Sequence, residues 1–260
     1  MSSSMSHLAA SPRIDAFLGG RLQLAQATHG HRAGLDAVML AAAAKVGPGD
    51  RVLDAGCGSG VVGVCIAARV QACLITGIDI NPQLVEMAND NAARNGFSAR
   101  YRAVAHDLTG AVAGLQALGV ARESFDAIVS NPPFFCDGEG TASSGVLRRQ
   151  ASVMPNGGLE PWLRFMTTMA AADARLAIVH RAAALPKLLA ALDRRWGAVH
   201  VFPLFARPGA PAHRIIIRAQ KGSRAGLTLL PGMVLHTPGN AFTPEAEAVL
   251  RHGQPLVIAP

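Results

Sequence analysis

One segment constrains the fold of this chain most, because it joins a buried strand to a helix through a turn built largely of glycine. The strand is predicted over Arg51–Ala55, the turn over Gly56–Gly60 and the helix over 60–69. Glycine has no Cβ, so the backbone can bend sharply there and a ligand can approach it closely. The amino end of the helix then faces that ligand and favours its binding. The segment therefore predicts a nucleotide-type ligand site at the carboxyl end of a strand.

Strand and helix patterns alternate along the chain, which is typical of an α/β fold with a doubly wound, mostly parallel sheet. Seven strands of such a sheet are predicted, at 51–55, 74–79, 99–105, 125–130, 175–180, 199–205 and 213–219. Helices are predicted at 34–45, 60–69, 82–95, 110–119, 159–172, 185–195 and 243–251. A short loop joins the last two strands, so they are expected to form an antiparallel edge. Further strands are predicted outside this series, at 21–27 and 227–236.

An acidic residue lies at or just beyond the end of three of the predicted strands, at the edge where α/β sheets bind their ligands. Asp54 lies near the end of its strand and is separated from the glycine turn by Ala55 alone, so a pyrophosphate held there would meet a like charge at short range. This argues against a dinucleotide, although Gly58–Gly63 fits the G-x-G-x-x-G fingerprint. S-adenosylmethionine (SAM) has no phosphate and carries an ammonium and a sulfonium, which suit an acid at that position.

The other two acids are predicted to contact the nucleoside part of the same ligand. Asp79, followed by Ile80, lies about 20 residues beyond the turn, where an acid commonly binds ribose hydroxyls. Asp107, followed by Leu108, is placed to accept a hydrogen bond from the adenine amino group. The alternative for Asp107 is a turn or helix-capping role, in which its carboxylate binds the backbone.

The sequence Asn131–Phe134 directly follows the fourth predicted strand of the sheet and suits a planar group that carries an NH2. The side-chain carbonyl of Asn131 and the backbone carbonyl of Pro132 can both accept hydrogen bonds from one amine. Pro132 and Pro133 have no N–H that competes for these acceptors, and Phe134 offers a flat face for stacking. An ordinary turn is the alternative, because Asn-Pro and Pro-Pro are common after strands.

These motifs resemble those of Rossmann-like SAM-dependent methyltransferases that act on amino nitrogen. The segment Gln26–Leu40 is similar to the entry segment of bacterial tRNA(Val) adenine-N6 methyltransferases, and 214–224 also resembles that family. The likeness extends from Arg21 to Arg251. It implies a class I methyltransferase fold with a short N-terminal strand and helix extension, and it implies SAM as the cofactor.

The resemblance also implies roles for individual residues. The residues expected to bind SAM are Asp36, Asp54, Gly56, Gly58, Gly60, Asp79, Ile80, Asp107, Leu108 and Asn131. The residues expected to be catalytic are Asn131, Pro132, Pro133 and Phe134. The residues expected to bind the substrate are Arg32, Phe134, Phe135, Arg148 and Arg149, of which the last two would contact phosphates.

The resulting prediction is an enzyme that methylates an exocyclic amine of a nucleobase, and adenine N6 in a tRNA anticodon loop is favoured. Methylation of guanine N2 in ribosomal RNA, or of a protein glutamine amide, is the nearest alternative, because families with similar tetrapeptides catalyse those reactions. A small-molecule O-methyltransferase is less favoured, since the sequence offers no evident base or cation site for a hydroxyl. A non-enzymatic alternative is an RNA-binding module on an inactive methyltransferase fold.

Composition supports a polyanionic partner. The chain of 260 residues has a formal net charge of +7, and its basic residues are almost all arginine, which suits phosphate contacts. Alternatively, the positive charge reflects GC-rich coding, which often gives chains rich in Ala, Gly and Arg. RNA, and tRNA in particular, is the expected partner, and no obligate protein partner is evident.

Four cysteines, Cys57, Cys65, Cys73 and Cys136, form no C-x-x-C pair, so neither a disulfide framework nor a zinc site is predicted. No metal is expected, and a reducing cytoplasm fits such thiols. The N-terminus has no signal-peptide pattern, and the longest apolar run, 37–44, is too short to span a bilayer.

One SAM-dependent methyltransferase domain is predicted over 47–260. It is preceded by a disordered tail over 1–12 and by an extension over 13–46 that packs at the cofactor mouth. A long loop rich in Gly and Ser is predicted over 135–158, directly after the catalytic tetrapeptide. This loop is either a lid over the site or a solvated segment.

Overall fold

The structure is a computed structural model that describes residues 12–27, 34–133, 135–136, 153–154 and 158–258. The predicted tail, apart from Pro12, and most of the predicted loop after the tetrapeptide lie outside the described residues. Four residues with predicted roles also lie outside them, namely Arg32, Phe134, Arg148 and Arg149. For Phe135 the structure describes the backbone alone.

The regular elements follow the predicted alternation. In chain order the strands are β1 (Arg13–Phe17), β2 (Leu22–Gln26), β3 (Arg51–Ala55), β4 (Leu74–Asp79), β5 (Tyr101–Ala105), β6 (Phe125–Ser130), β7 (Phe135–Cys136), β8 (Val153–Met154), β9 (Ala170–Arg181), β10 (Trp196–Phe205), β11 (Ala212–Lys221), β12 (Thr228–Leu229) and β13 (Met233–Val234). The α-helices are α1 (Leu35–Ala43), α2 (Val61–Arg69), α3 (Pro82–Arg94), α4 (Leu159–Met169), α5 (Leu185–Leu192) and α6 (Pro244–Leu250). Short 3-10 helices span Leu18–Gly20, Val112–Leu118 and Ala182–Ala184.

A central sheet carries its main strands in the order β10–β11–β9–β6–β3–β4–β5. β11 runs antiparallel to both of its neighbours, and the other neighbouring strands in this series are parallel. The short strands β12 and β13 lie beside β10 and extend the same edge. The prediction of a doubly wound, mostly parallel sheet with seven main strands and an antiparallel edge is confirmed.

Helices cover both faces of this sheet, because successive side chains of a strand point to opposite faces and both faces are apolar. Val52 of β3 joins a core that includes Leu40 of α1 and Ile66 of α2. The next residue, Leu53, joins a second core on the other face, which includes Leu163 of α4. All five side chains are fully buried. Within the described ranges, every helix is too short or too polar to span a bilayer.

Two elements near the sheet edges differ from the predictions. The predicted strand over 227–236 consists of the two-residue strands β12 and β13, and Pro231 with Gly232 separates them. A proline lacks the N–H that a continuous strand needs, so the pairing with β10 stops there and resumes beyond it. The predicted helix over 110–119 is the 3-10 helix Val112–Leu118, in which Leu115 is the buried side chain. One buried residue provides too little packing to hold a longer α-helix.

The boundary between α4 and β9 also differs. Residues 170–172 were expected to continue the helix, but they begin the strand, because Ala170 pairs with Phe125 of β6. The pairing contains a register shift directly afterwards, and Asp173 has a positive φ of 57° in the same stretch. Tertiary pairing therefore overrides the local helix preference at this point.

The segment 13–46 contains a strand that the sequence pattern did not predict, β1, which pairs antiparallel with β2. The buried side chain of Asn91, on α3, holds β2 in place. Its Oδ1 accepts from the Ala25 amide at 2.7 Å, and its Nδ2 donates to the Ala25 carbonyl at 2.8 Å. The same Nδ2 donates to the carbonyl of Ser59 at 2.9 Å. One amide side chain thus connects this N-terminal segment to the glycine turn.

Candidate active site

The carboxyl ends of three adjacent parallel strands carry most of the predicted site. β3 lies between β4 and β6, and in this register Asp54 pairs with Gly77 while Ala55 pairs with Ser130. Asp79 ends β4, and Asn131 directly follows β6. The sheet therefore brings the glycine turn, the second acid and the Asn-Pro-Pro sequence to one edge. Two other clefts, both lined in part by α6, lie elsewhere.

The glycine turn contains three positions at which only glycine fits without backbone strain. Gly56, Gly58 and Gly60 have positive φ angles of 75°, 53° and 81°. A Cβ at Gly56 would lie 2.5 Å from the Trp162 ring, and one at Gly60 would lie 2.8 Å from the Tyr101 hydroxyl. A Cβ at Gly58 would meet no atom of the described residues within 4 Å. The turn is therefore packed from behind at Gly56 and Gly60, and it is open to a ligand at Gly58.

Asp79 is bound to this turn through its carboxylate. Its Oδ2 accepts from the Gly58 amide at 2.9 Å, and its Oδ1 accepts from the Asn81 amide at 2.9 Å. Burial raises the pKa of Asp79, and these backbone hydrogen bonds oppose that rise. A carboxylate has about four acceptor positions, so Asp79 retains capacity to bind hydroxyl groups. Ile80, next in sequence, is 59% exposed and provides an apolar surface beside it.

Asp54 lies behind the turn. Its buried Oδ2 accepts from the Gly63 amide, in the first turn of α2, at 3.0 Å. Its Oδ1 is buried without a hydrogen-bond partner among the described residues. Burial raises the pKa of Asp54 to about 7, the Gly63 hydrogen bond opposes this rise, and the charge of Asp79 adds to it. The expected direct contact with the cationic groups of SAM therefore stays a prediction, since the bond that is present goes to the helix.

The end of β5 carries Asp107 in a turn. Its Oδ1 accepts from both the amide and the hydroxyl of Thr109, each at 2.8 Å, which matches the alternative turn role. Leu108 beside it is buried. His106 is a residue that the sequence did not single out. Its amide donates to the Asp79 carbonyl at 2.9 Å, and its buried Nε2 has no hydrogen-bond partner in the described part of the chain.

Asn131 presents an acceptor that the described protein atoms leave unused. Its Oδ1 is buried and has no hydrogen-bond partner within the described ranges. Leaving a buried acceptor unpaired costs about 1–3 kcal/mol, so an amine donor at this point would be favoured. Pro132 is buried and Pro133 is half-buried. Three of the four predicted catalytic residues thus lie together at the end of β6, and the fourth, Phe134, is outside the described residues.

His180, at the end of β9, adjoins this sequence. The imidazole is buried and interacts with the backbone of Pro133 and Arg181. Burial lowers the pKa of His180 to about 4, and the nearby charges of Arg181 and Arg214 contribute to this decrease. The imidazole is therefore neutral at physiological pH. No local motif marks this histidine in the sequence, because the sheet order alone brings it to Pro133.

Asp36 lies in the first turn of α1 and forms an ion pair. Its Oδ2 accepts from Nε of Arg214, on β11, at 2.9 Å. The pair joins segments 178 residues apart in sequence. A cofactor role for Asp36 stays a prediction, because the structure describes this carboxylate in contact with a protein arginine. No cluster of three or more potential metal-ligating side chains occurs among the described residues.

Comparison with known proteins defines the class. Residues 35–159 match the family described as Methyltransferase small domain. Together with the sheet order and the glycine turn, this match shows that the protein is a SAM-dependent methyltransferase with a Rossmann-like, class I fold. Its cofactor is S-adenosyl-L-methionine. The open approach at Gly58 and the remaining acceptor capacity of Asp79 fit that cofactor.

More particular names come from individual relatives. The chain is 25% identical over 226 residues to the tRNA1(Val) (adenine(37)-N6)-methyltransferase of Photorhabdus laumondii. The aligned region covers 84% of this chain and 86% of that protein. A Porphyromonas gingivalis protein of the same name is 35% identical over 125 residues, 46% of this chain and 48% of its own length. A solved structure of a predicted O-methyltransferase from Agrobacterium tumefaciens is 27% identical, with a TM-score of 0.68, and the match covers 82% of this chain and 94% of that one.

Proposed function

We propose that this methyltransferase modifies an exocyclic amine of a nucleobase, and that the base is adenine, methylated on N6 in a tRNA anticodon loop. The observation that carries the proposal is the buried, unpartnered Oδ1 of Asn131, followed by two prolines at the end of β6. An NH2 group has two hydrogens to donate, so it is the natural partner for two adjacent carbonyl oxygens. The name shared by the Photorhabdus and Porphyromonas relatives supports the choice of adenine in tRNA.

The exocyclic amine of adenine is a weak nucleophile, because its lone pair is conjugated with the ring. The carbonyl oxygens of Asn131 and Pro132 would accept hydrogen bonds from its two N–H groups, draw these hydrogens out of the ring plane and localise the lone pair on the nitrogen. The nitrogen would release one proton after it has attacked the methyl group. When bound, SAM supplies an electrophilic methyl group. The contribution of the protein is then mainly positioning, which can be worth about 7–11 kcal/mol of a reaction barrier. Phe134 and Phe135 are proposed to stack on the base.

The same edge would hold the cofactor. We propose that Asp79 binds the ribose hydroxyls with the acceptor positions that Gly58 and Asn81 leave unused. Ile80 would pack against the adenine ring of SAM, and Asp107 with Leu108 would border it. Asp54 would act through the glycine turn, since its carboxylate fixes the first turn of α2.

The substrate class follows from access and charge. A base must leave its stack to enter such a site, which favours a loop or single strand over a closed duplex. The net charge of +7 favours a polyanion, and Arg32, Arg148 and Arg149 are proposed to contact it. We propose that 13–46 forms the mouth of the site and 47–260 the methyltransferase domain. A tRNA substrate would locate the enzyme in the cytoplasm.

The test is to incubate the protein with labelled SAM and, separately, with tRNA, ribosomal RNA and ribosomal proteins, and to identify the product by mass spectrometry. N6-methyladenosine in tRNA is expected. Asn131→Ala should lower transfer about a hundredfold or more while SAM binding persists. Label on guanine, glutamine or an oxygen atom would replace the proposed acceptor. An absence of transfer with every substrate would favour the non-catalytic RNA-binding alternative.

A further inference from the structure

Trp162, on α4, contacts both halves of the proposed active site. Its ring packs behind the glycine turn, where Cζ2 and Cη2 would lie 2.5 Å and 2.9 Å from a Cβ at Gly56. Its Nε1 donates to Oγ of Ser130 at 2.9 Å. Ser130 is the residue directly before Asn131. A single buried side chain therefore touches the turn that faces the cofactor and the strand end that carries the acceptor amide.

The hydrogen bonds form a chain with one possible direction. An indole N–H only donates and a backbone carbonyl only accepts. Ser130 therefore accepts from Trp162 and donates its own proton to the carbonyl of Ala55, at 2.7 Å. Both of these side chains are buried, so neither bond competes directly with bulk water. Bonds in such a chain polarise one another, which strengthens it.

These hydrogen bonds link β6 to β3 at the point where the glycine turn and the Asn-Pro-Pro sequence begin. Ala55 and Ser130 are paired in the register of β3 with β6. The next residues along the two strands are Gly56 and Asn131. A shift of β3 relative to β6 at this pair would therefore move the glycine turn relative to the amide of Asn131.

We propose that Trp162 and Ser130 are positioning residues that set the distance between the cofactor turn and the acceptor amide of Asn131. This inference rests on the proposed function of Asn131. Neither residue touches the reacting atoms, so their removal should leave cofactor binding largely intact and reduce the rate of transfer. A displacement of about 1 Å at a reacting centre can cost about a hundredfold in rate.

The chain offers a matched control. It has two tryptophans, and the other one, Trp196 on β10, is also buried. Nε1 of Trp196 donates to the hydroxyl of Thr167 at 2.9 Å, which is the same kind of bond to the same kind of acceptor. Thr167 lies in the carboxyl half of α4, more than a helical turn beyond Trp162. Trp196→Phe therefore removes an equivalent bond without touching the glycine turn or β6.

The first experiment compares Trp162→Phe, Ser130→Ala and Trp196→Phe with the unaltered enzyme. The two site variants should lower kcat about tenfold or more, with the Kd for SAM within about threefold of the unaltered value. Trp196→Phe should keep kcat within about twofold of the unaltered value, although its loss in Tm should be comparable to that of Trp162→Phe. The double variant Trp162→Phe/Ser130→Ala should be no slower than the slower single variant, because the two substitutions interrupt the same series of hydrogen bonds. Equal losses of kcat in Trp162→Phe and Trp196→Phe would overturn the proposal.

A second measurement does not depend on the acceptor. Hydrogen exchange of the segment 125–131 is followed with and without SAM. SAM should slow exchange at Ser130 and Asn131 in the unaltered protein and in Trp196→Phe, and this effect should fall about tenfold in Trp162→Phe. If no RNA is methylated but this pattern is seen, the coupling stands and the proposed substrate fails. If exchange responds equally in all three proteins, the positioning role is wrong.

Discussion

The carboxylate of Asp79 accepts a hydrogen bond from the backbone amide of Gly58 at 2.9 Å. This bond joins the end of β4 to the middle of the glycine turn, at the glycine that is open to a ligand. Asp79 therefore fixes the turn, and we propose that its remaining acceptor positions bind the cofactor. An ionised acceptor makes stronger hydrogen bonds than a neutral amide does.

Asp79→Asn should weaken SAM binding. Hydrogen bonds to a charged group contribute about 1.5–3 kcal/mol, so the Kd for SAM should rise about tenfold to a hundredfold. Isothermal titration calorimetry would measure the change. Glu86→Gln, which removes a carboxylate from an exposed position of α3, is the matched control and should leave the Kd unchanged. A Kd for Asp79→Asn equal to that of the control would remove Asp79 from the cofactor site.

Asp54 should make the protein less stable as the pH rises. Its pKa is about 7 in the folded protein and 3.8 without burial, so the folded state binds more protons between these values. The stability that protonated Asp54 contributes is full below about pH 4 and is lost as the pH rises through 7. Three pKa units correspond to about 4 kcal/mol at most. Urea unfolding at several pH values, in the unaltered protein and in Asp54→Asn without SAM, measures the effect.

The difference in unfolding free energy, unaltered protein minus Asp54→Asn, should fall between pH 4 and 7 and then level off. The difference is the useful quantity, because it cancels the other titrating groups. A constant difference over this range would mean that Asp54 ionises normally behind the turn.

His180 should act in the opposite direction. Its pKa is lowered from 6.5 to about 4, so the unfolded state binds more protons between these values. The stability that neutral His180 contributes is present above about pH 6.5 and is lost as the pH falls through 4, and it amounts to about 3 kcal/mol at most. His180→Gln keeps a donor for the Pro133 backbone and removes the titration. Relative to this variant, the unaltered protein should gain stability from pH 4 to 6.5. Thermal unfolding of both proteins across that range measures the effect. A stability difference that does not change with pH would mean that the pKa of His180 is normal.

The strand and helix pattern predicted most of this fold, because buried parallel strands and amphipathic helices carry strong periodic signals. The predicted sheet failed only where pairing overrides local preference, as at Ala170, or where Pro231 interrupts an edge. β1 was missed because it is a short and largely exposed strand whose structure depends on its pairing with β2.

The site was predictable to the extent that its residues lie in short motifs. Asp79 ends one strand and Asn131 directly follows another, and their placement could be derived from that order. Ser130, Trp162 and His180 could not be found in this way, since each acts through a partner at least 32 residues distant in sequence or across a strand. The orientation of Asp54 toward the Gly63 amide was likewise hidden, because a strand pattern does not show which atom a carboxylate binds.

Gly56→Ala tests the packing behind the turn and has a close control in Gly49→Ala. Both glycines have positive φ, at 75° and 84°, so alanine is strained at either position. A Cβ at Gly56 would also lie 2.5 Å from the Trp162 ring, whereas one at Gly49 would meet nothing within 4 Å in the described part of the chain. Gly49→Ala should therefore cost about 1 kcal/mol from backbone strain alone. Gly56→Ala should cost about 1–3 kcal/mol more from overpacking, and it should also weaken SAM binding. Chemical denaturation gives both free energies, and equal costs for the two variants would show that Trp162 yields freely and does not fix the turn.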